Sequence, residues 1–298
     1  MTQLIQTAPN FSEGIDKEIM ASLKERAEHG EHHVLMDAQT DADHNRSTYY
    51  LLGEPESVLK ATYEMVKFAT ENIDMNEHVG VHPRMGASDV VPVIPVKNIS
   101  LEECVALSKK LGEKIGEELD LPVYLYEDAA SNENRRNLAN VRRGEYEGLA
   151  EKMQDEKWLP DYGPHSPHLT AGAVAVGARP VLVYLNVNLD TNDLEIAKNI
   201  AKTIRTANGG MQHLKALGVN LENRDMVQVT TTITDYKKLP FYRVLENIKM
   251  EAKRYGVNVF STEVYGMTPA QAMIDTAAYY LQAEGFDSDK QVVENFLL

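Results

Sequence analysis

The chain has 298 residues, 43% hydrophobic and 25% charged, enough to bury one large core or two modest ones and ordinary for a soluble globular protein. Its 30 basic residues against 45 acidic ones give a formal charge of −15, which repels nucleic acid and anionic membranes at long range. No apolar run approaches the roughly 20 residues of a membrane span, and one cysteine, Cys104, excludes an intramolecular disulfide and suits a reducing compartment.

The N-terminus, MTQLIQTAPNFSEG, has no basic segment ahead of an apolar core, so a cytoplasmic protein without a secretory leader is expected. Along the chain the apolar pattern switches between period 2 and period 3.6. QLIQTA is the first expected strand, and Ile15, Ile19, Leu23 and Ala27 then recur every fourth residue in a helix stopped at Gly30. Strands follow around HVLMDA and RSTYYLLG. Pro55 opens a helix with Val58, Ala61, Met65 and Phe68 on one face. DVVPVIPV is a strand whose two prolines place it at a sheet edge or a bulge. Ser100 and Glu103 form a capping box before a helix with the stripe Cys104, Leu107, Leu111 and Ile115. Cys104 on that stripe is core filler rather than a nucleophile. LPVYLY closes the first half.

The second half repeats the plan. RPVLVYLNVNL is a strand, and helix 192–206 carries Leu194, Ala197, Ile200, Ala201 and Ile204. Strands around LKALGVNL and MVQVTTTI follow, the second alternating Val227, Val229, Thr231 and Ile233. A helix from Pro240 buries Val244, Ile248 and Ala252, then comes the strand VNVFSTEV. A last helix is expected to be capped by Thr268 and Gln271, with Pro269 at its first position. Both halves therefore read β-α-β-β-α-β followed by a helix. The expected fold is α/β (α+β): two similar subdomains, residues 1–177 and 178–298, each a ferredoxin-like mixed sheet with helices on one face, and a ligand cleft between them. The small-residue stretch TAGAVAVGARP, 170–180, is the expected join.

The chemistry concentrates in EHVGVHPRMGASDVVPVIPV, residues 77–96. His78 and His82 have the spacing of two metal ligands on a helical face, and His165 with His168 could complete a set. Pro83 pushes His82 out of the helical region and Gly80 weakens any helix there, so no metal is expected. Imidazole titrates near neutrality and can both take and return a proton. On the residues alone, a structural and a catalytic His82 remain equally open. Arg46, Arg84, the pair Arg135 and Arg136, and the pair Arg142 and Arg143 could gather an anionic ligand despite the net charge, or form a solvated face.

The segments PNFSEG, DADHNRS, GVHPRMGASDVVPVIPV, PVYLYEDAA, RRGEYEGL, WLPDYGP and GAVAVGARP, in this order, resemble the glutamate formiminotransferase family, whose animal form is fused to a cyclodeaminase. The likeness continues more weakly through VQVTTTITDY and VYGMTPAQAMIDTAAYYL, covering nearly the whole chain. Because the chain stops at Leu298, no cyclodeaminase domain is expected. The resemblance implies transfer of a formimino group from N-formimino-L-glutamate to N5 of tetrahydrofolate, giving 5-formiminotetrahydrofolate and L-glutamate in histidine degradation. It implies tetrahydrofolate as co-substrate, no metal, and a homodimer. The family's catalytic histidine maps onto His82. Its folate-contacting loop maps onto Gly163, Pro164, His165, Ser166, Pro167, His168, Leu169, Thr170, Ala171 and Gly172. Arg84 and Arg46 lie within matching motifs and are expected to bind substrate carboxylates.

Two departures stand out. Where the animal form has Asp-x-Asp, with a candidate proton relay at its second aspartate, this chain has Asp37-Ala38-Gln39, so Asp41 or Asp43 would have to substitute. The middle of the folate loop also lacks an aromatic residue, so any pterin stacking must come from elsewhere. Three other readings compete. One is formyl transfer between 5-formyltetrahydrofolate and glutamate, another is metal-dependent hydrolysis of formiminoglutamate, and the third is a folate-binding module without turnover.

Overall fold

The alternation of short strands and amphipathic helices folds into two sheets, each in its own compact unit, Met1–Arg179 and Pro180–Leu298. The computed structural model describes residues 2–221 and 224–296. In the first unit the order is β1 (Leu4–Thr7), β2 (Asn10–Phe11), α1 (Lys17–Glu28), β3 (His33–Asp41), β4 (Arg46–Gly53), α2 (Pro55–Asn72) and β5 (Ser88–Lys97). Then come α3 (Leu101–Glu118), β6 (Val123–Glu127), the short helices α4 (Leu138–Arg142) and α5 (Leu149–Lys152), and β7 (Val174–Ala178). β3, β4, β1 with β2, and β5 lie side by side and antiparallel, which is the ferredoxin-like arrangement. β7 then pairs with β5, and β6 with β7, both in parallel.

Local chemistry sets the helix ends. The Asp16 side chain accepts from the amides of Glu18 and Ile19, so α1 starts after Ile15, which is left 59% exposed outside the helix. At α3 the capping box of Ser100 and Glu103 is complete in both directions. Cys104 is buried on that helix, and burial pushes its thiol up to about 12. Helices α1, α2 and α3 pack one core against the sheet. On the opposite face Tyr124, Tyr126, Val90 and Ala175 pack against Val141, Leu149 and Met153 of the segment that returns from β6 to β7. The parallel part of the sheet is thus covered on both sides, the usual condition of parallel strands.

That second layer bears on two of the expectations. β5 is central rather than at an edge, and of the two settings expected for its prolines the bulge is the one found. Its Pro92 lies opposite the break between β1 and β2, since Thr7 faces Val93 and Asn10 faces Val90. Pro95 faces Ile5 where the register slips, with Leu4 facing Lys97. Both prolines thus fall where the ladder is already interrupted. The small-residue stretch 170–180 folds largely as β7, between β5 and β6, and the first unit ends within it, at Arg179. Its residues are small because a Cβ on Gly177 would come within 2.4 Å of the Tyr126 carbonyl.

In the second unit the order is β8 (Val183–Leu189), α6 (Leu194–Ile204), β9 (Leu214–Leu221), β10 (Met226–Ile233), α7 (Phe241–Lys253), β11 (Val259–Tyr265), α8 (Ala270–Leu281) and α9 (Ser288–Gln291). The sheet order is β11, β8, β10, β9, all antiparallel, the same arrangement without the parallel extension. Val227, Val229, Thr231 and Ile233 are buried, as their alternation requires. The capping box expected before α8 does not form. Pro269 is itself the cap, the Thr268 hydroxyl makes no cap bond, and Gln271 bonds Asp275 and Ser288 instead. Among the described residues no helix is long and apolar enough to cross a membrane.

Candidate active site

The turn joining β3 to β4 and the long connection from α2 to β5 are tied together at Asn45. It sits in the left-handed region at φ 45, which asparagine tolerates. Its side chain accepts from Gly14 N at 2.9 Å and donates to Val79 O at 3.0 Å, while His78 Nε2 bonds its carbonyl at 3.0 Å. Gly80 completes the approach, because a Cβ there would lie 2.5 Å from the His44 carbonyl. The loop carrying His82 is thereby held against the turn carrying His44 and Arg46.

His82 is half-buried, and Arg46 Nη1 makes a short contact with its Nε2. A guanidinium can only donate, so Nε2 carries the lone pair and Nδ1 the proton. Burial, then the positive charges of Arg46 and Arg142, hold His82 well below the usual imidazole range, at about 4. Asp89 and a backbone hydrogen bond at Pro83 oppose this only in part. His82 is a neutral base at physiological pH. His44 lies beside it, ring centroids 6.3 Å apart at 67°. Phe11, Ser12, Arg46, Arg84 and Asp89 complete the recess around the two rings and His78.

Arg84 is buried and fully engaged. Its Nη1 donates to Glu145 at 3.0 Å and to Glu147 at 2.9 Å, Nη2 donates to Glu147 at 2.6 Å, and Nε donates to His78 Nδ1 at 3.2 Å. The hydrogen bond from Arg84 holds Glu147 below the usual carboxylate range. His78, Val79, Gly80, Arg84, Gly144, Glu145 and Glu147 line an open cavity of about 510 Å³. Asp89, also buried, accepts from Arg142 Nε at 3.2 Å and from Met85 N at 3.2 Å, and pairs closely with Arg142 Nη2.

The far end of the loop 163–172 lies against this assembly and its near end does not. Gly172 bridges Gly86, Ala171 O accepts from Ala87 N at 3.0 Å, and Thr170 O accepts from Met75 N at 2.8 Å. Gly172 has φ +70 and a Cβ there would lie 2.4 Å from Met85 O, so only glycine fits. His168 N donates to Gly172 O, and His168 Nδ1 accepts from Ala171 N at 3.1 Å. Leu169 projects into solvent, its carbonyl held by Asn76 and Tyr146. Gly163, by contrast, packs on Leu121 and Gly116, and His165 and Ser166 are exposed. An aromatic ring does stand over the loop: Tyr146 Cδ2 is the side-chain atom a Cβ on Gly172 would strike.

The remaining candidates have other surroundings. Arg135 pairs with Asp161 at 2.6 Å, Arg136 with Asp128 at 2.9 Å, and Arg143 donates to Asn140 at 3.1 Å. Asp37 and Gln39 bond each other at 2.9 Å, and Asp43 is exposed. Both His78 nitrogens are committed to Asn45 and Arg84. Among the described residues no group of three or more His, Cys, Asp or Glu side chains is placed to hold a metal. Sequence reasoning missed Glu145, Glu147 and Tyr146 as partners of the histidine loop. All three stand in RRGEYEGL, quoted above only for its resemblance.

Comparison with known proteins covers the chain almost from end to end. Residues 4–179 match the family model for the formiminotransferase domain, N-terminal subdomain, and residues 184–295 match that for the formiminotransferase domain. A glutamate formimidoyltransferase from Streptococcus pyogenes serotype M1 is 49% identical over 298 residues, all of both chains. One from Thermoplasma acidophilum is 42% identical over 286 residues, 95% of this chain and 94% of the relative. The formimidoyltransferase-cyclodeaminase of Mus musculus is 37% identical over 95% of this chain but only 53% of its own length.

Proposed function

The chain belongs to the formiminotransferase family, and on that premise we infer that it is a glutamate formimidoyltransferase. It moves a formimino group from N-formimino-L-glutamate to N5 of tetrahydrofolate and releases L-glutamate, a step of histidine degradation. One observation carries the assignment of the chemistry to His82: its Nε2 is unprotonated and faces Arg46 in a recess, so the chain holds a ready base beside a cation.

The reduced pterin supplies the nucleophilic nitrogen; the chain supplies the rest. His82 takes the proton that the attacking nitrogen loses and returns it to the departing glutamate nitrogen. Arg46 meets a substrate carboxylate, and in doing so draws its guanidinium off Nε2. Arg84 binds a second carboxylate by exchanging Glu145 or Glu147 for it. The cavity of about 510 Å³ is of ordinary ligand size, and Gly80 and Gly144 let a flat ring approach the backbone. Glu145 and Glu147 on its wall suit the N–H donors of a pterin, and the loop from Gly163 to Gly172 flanks it through its pairing with Gly86 and Ala87. These features support folate binding there.

The two family-model stretches and the two compact units support a subdomain boundary near Arg179. The enzyme works in the cytoplasm as a homodimer; exposed Tyr265, Tyr279, Tyr280 and Leu281 in the second unit support a partner surface. Sedimentation velocity checks the dimer. For the reaction, purified protein is mixed with tetrahydrofolate and formiminoglutamate while the ultraviolet spectrum is followed for 5-formiminotetrahydrofolate. Product only from 5-formyltetrahydrofolate and glutamate would favour formyl transfer instead. Turnover lost on chelation and restored by zinc would favour metal-dependent hydrolysis.

A further inference from the structure

Releasing glutamate from the site as its ammonium takes one proton more than His82 can recycle. Let the formimino group be counted as an amidinium in both substrate and product. The glutamate nitrogen begins with one hydrogen and the attacking N5 with one. Moving the N5 proton to the glutamate nitrogen, as the new C–N5 bond forms and the old C–N bond breaks with its electron pair staying on glutamate, yields a neutral amine with two hydrogens. Glutamate ends as an ammonium with three. One proton therefore enters from solvent in each turnover, and a half-buried His82 covered by a guanidinium is poorly placed to collect it.

The turn from β3 to β4 holds a group that is well placed. His44 Nδ1 lies 2.7 Å from Asp41 Oδ2, and His44 N donates to Asp41 Oδ1 at 2.9 Å. An ionised carboxylate only accepts, so Nδ1 carries a hydrogen and Nε2 is the nitrogen left to exchange protons. The backbone bond from His44 heads the causes that hold Asp41 below the usual carboxylate range. The side chain of His44 is 48% exposed, yet its ring lies edge-on to that of His82 at 6.3 Å. One water or a modest ring rotation spans that gap. The charged and titratable groups facing it across the recess are Arg46, His78, His82, Arg84 and Asp89.

Building on formimino transfer as the reaction, we propose that His44, oriented by Asp41, is the proton port of this site, passing a solvent proton inward to His82 and the departing amine. It acts through His82 and is not itself placed on the substrate. The arrangement is that of a carboxylate fixing an imidazole's tautomer and aim so that its other nitrogen works.

The test compares His44→Gln and Asp41→Asn with the unaltered enzyme in steady-state formimino transfer. His44→Gln is expected to lower kcat about tenfold or more, leave KM for both substrates within about twofold, and regain much of the loss when free imidazole is added. Asp41→Asn is expected to lose less and to shift the pH profile of kcat, with thermal melting unchanged in both. A His44→Gln enzyme with normal kcat overturns the proposal. So does a loss that imidazole leaves untouched. An unaltered enzyme that forms no 5-formiminotetrahydrofolate sinks the transferase reading itself, and the port with it. A turning-over enzyme indifferent to His44 sinks the port alone.

Discussion

The two units are one scaffold used twice, with unequal loops. Each sheet orders its strands as the β-α-β-β-α-β plan dictates, β5-β1-β4-β3 in the first unit and β11-β8-β10-β9 in the second. The connection after the second helix differs greatly. In the first unit it runs over residues 73–87 and carries His78, His82 and Arg84; in the second it is only residues 254–258. The first unit also carries the return from β6 to β7, which brings Glu145, Glu147 and Tyr146 onto that loop. The candidate site thus stands on connections that are longer in the first unit than in the second, and loops can lengthen without unpairing a strand.

The sharpest way to break the comparison is to alter the corresponding connections. His82→Ala is expected to lower kcat by about 10² to 10⁴ with folding intact, the usual worth of a general acid–base group. Tyr255→Ala, in the short connection of the second unit, should leave kcat within about twofold. Stopped-flow or steady-state assays of both variants decide it, and comparable losses would mean the site does not belong to the first unit alone.

Ion pairs give a second contrast. Arg135 and Asp161 are 5% and 11% exposed, and Asp161 also accepts from Leu125 N at 2.7 Å. Removing Asp161 strands a buried guanidinium, so Asp161→Ala should cost about 3–5 kcal/mol in urea unfolding. Arg224 and Glu263 of the second unit are 43% and 45% exposed, and Arg224→Ala should cost only about 0–1 kcal/mol.

Glycines sharpen it further. Gly172 at φ +70 and Gly256 at φ +72 have the same backbone need, so alanine at either should lose about 1–2 kcal/mol. Only Gly172 also faces a carbonyl, whereas nothing lies within 4 Å of a Cβ on Gly256. Gly172→Ala is therefore expected to destabilise more, and to raise KM for tetrahydrofolate, while Gly256→Ala leaves KM unchanged. Paired chemical melts and titrations separate the two.

The smallest effect is on titration. His82 folded titrates at about 4, below its ordinary 6.5, so the unfolded chain takes the proton first. Its contribution to stability is present above about pH 6.5 and is lost as the pH falls toward 4. NMR of the His82 ring should show no titration near pH 6.5. Arg46→Met should move the midpoint upward but not to 6.5, because burial, the larger cause, remains. An unchanged midpoint would mean that Arg46 does not act on the ring.

What could be read early follows from what each signal depends on. Alternation found β10 and period 3.6 found α2 and α6, since one face of each is apolar and the other carries polar side chains. β7 was invisible to the same rule because it is dry on both faces, and its small residues look like a hinge until Tyr124 and Tyr126 are seen packed beside it. His82 could be singled out through its motif, but its tautomer could not. That depends on Arg46, far away in sequence and placed by the turn that Asn45 pins.

By itself the sequence determined the plan of both units, the helix start at Ser100, and the histidine loop, because these depend on neighbours within a few residues. Tertiary structure alone decided which charges are spent inside the fold and which face the site. Arg84, Arg135 and Arg142 look alike along the chain, yet each is neutralised by a carboxylate that only the folded sheet brings near. Arg46 is set beside the His82 imidazole by the turn from β3 to β4. Coulomb interactions act over ångströms in space, and spacing along the chain does not encode them.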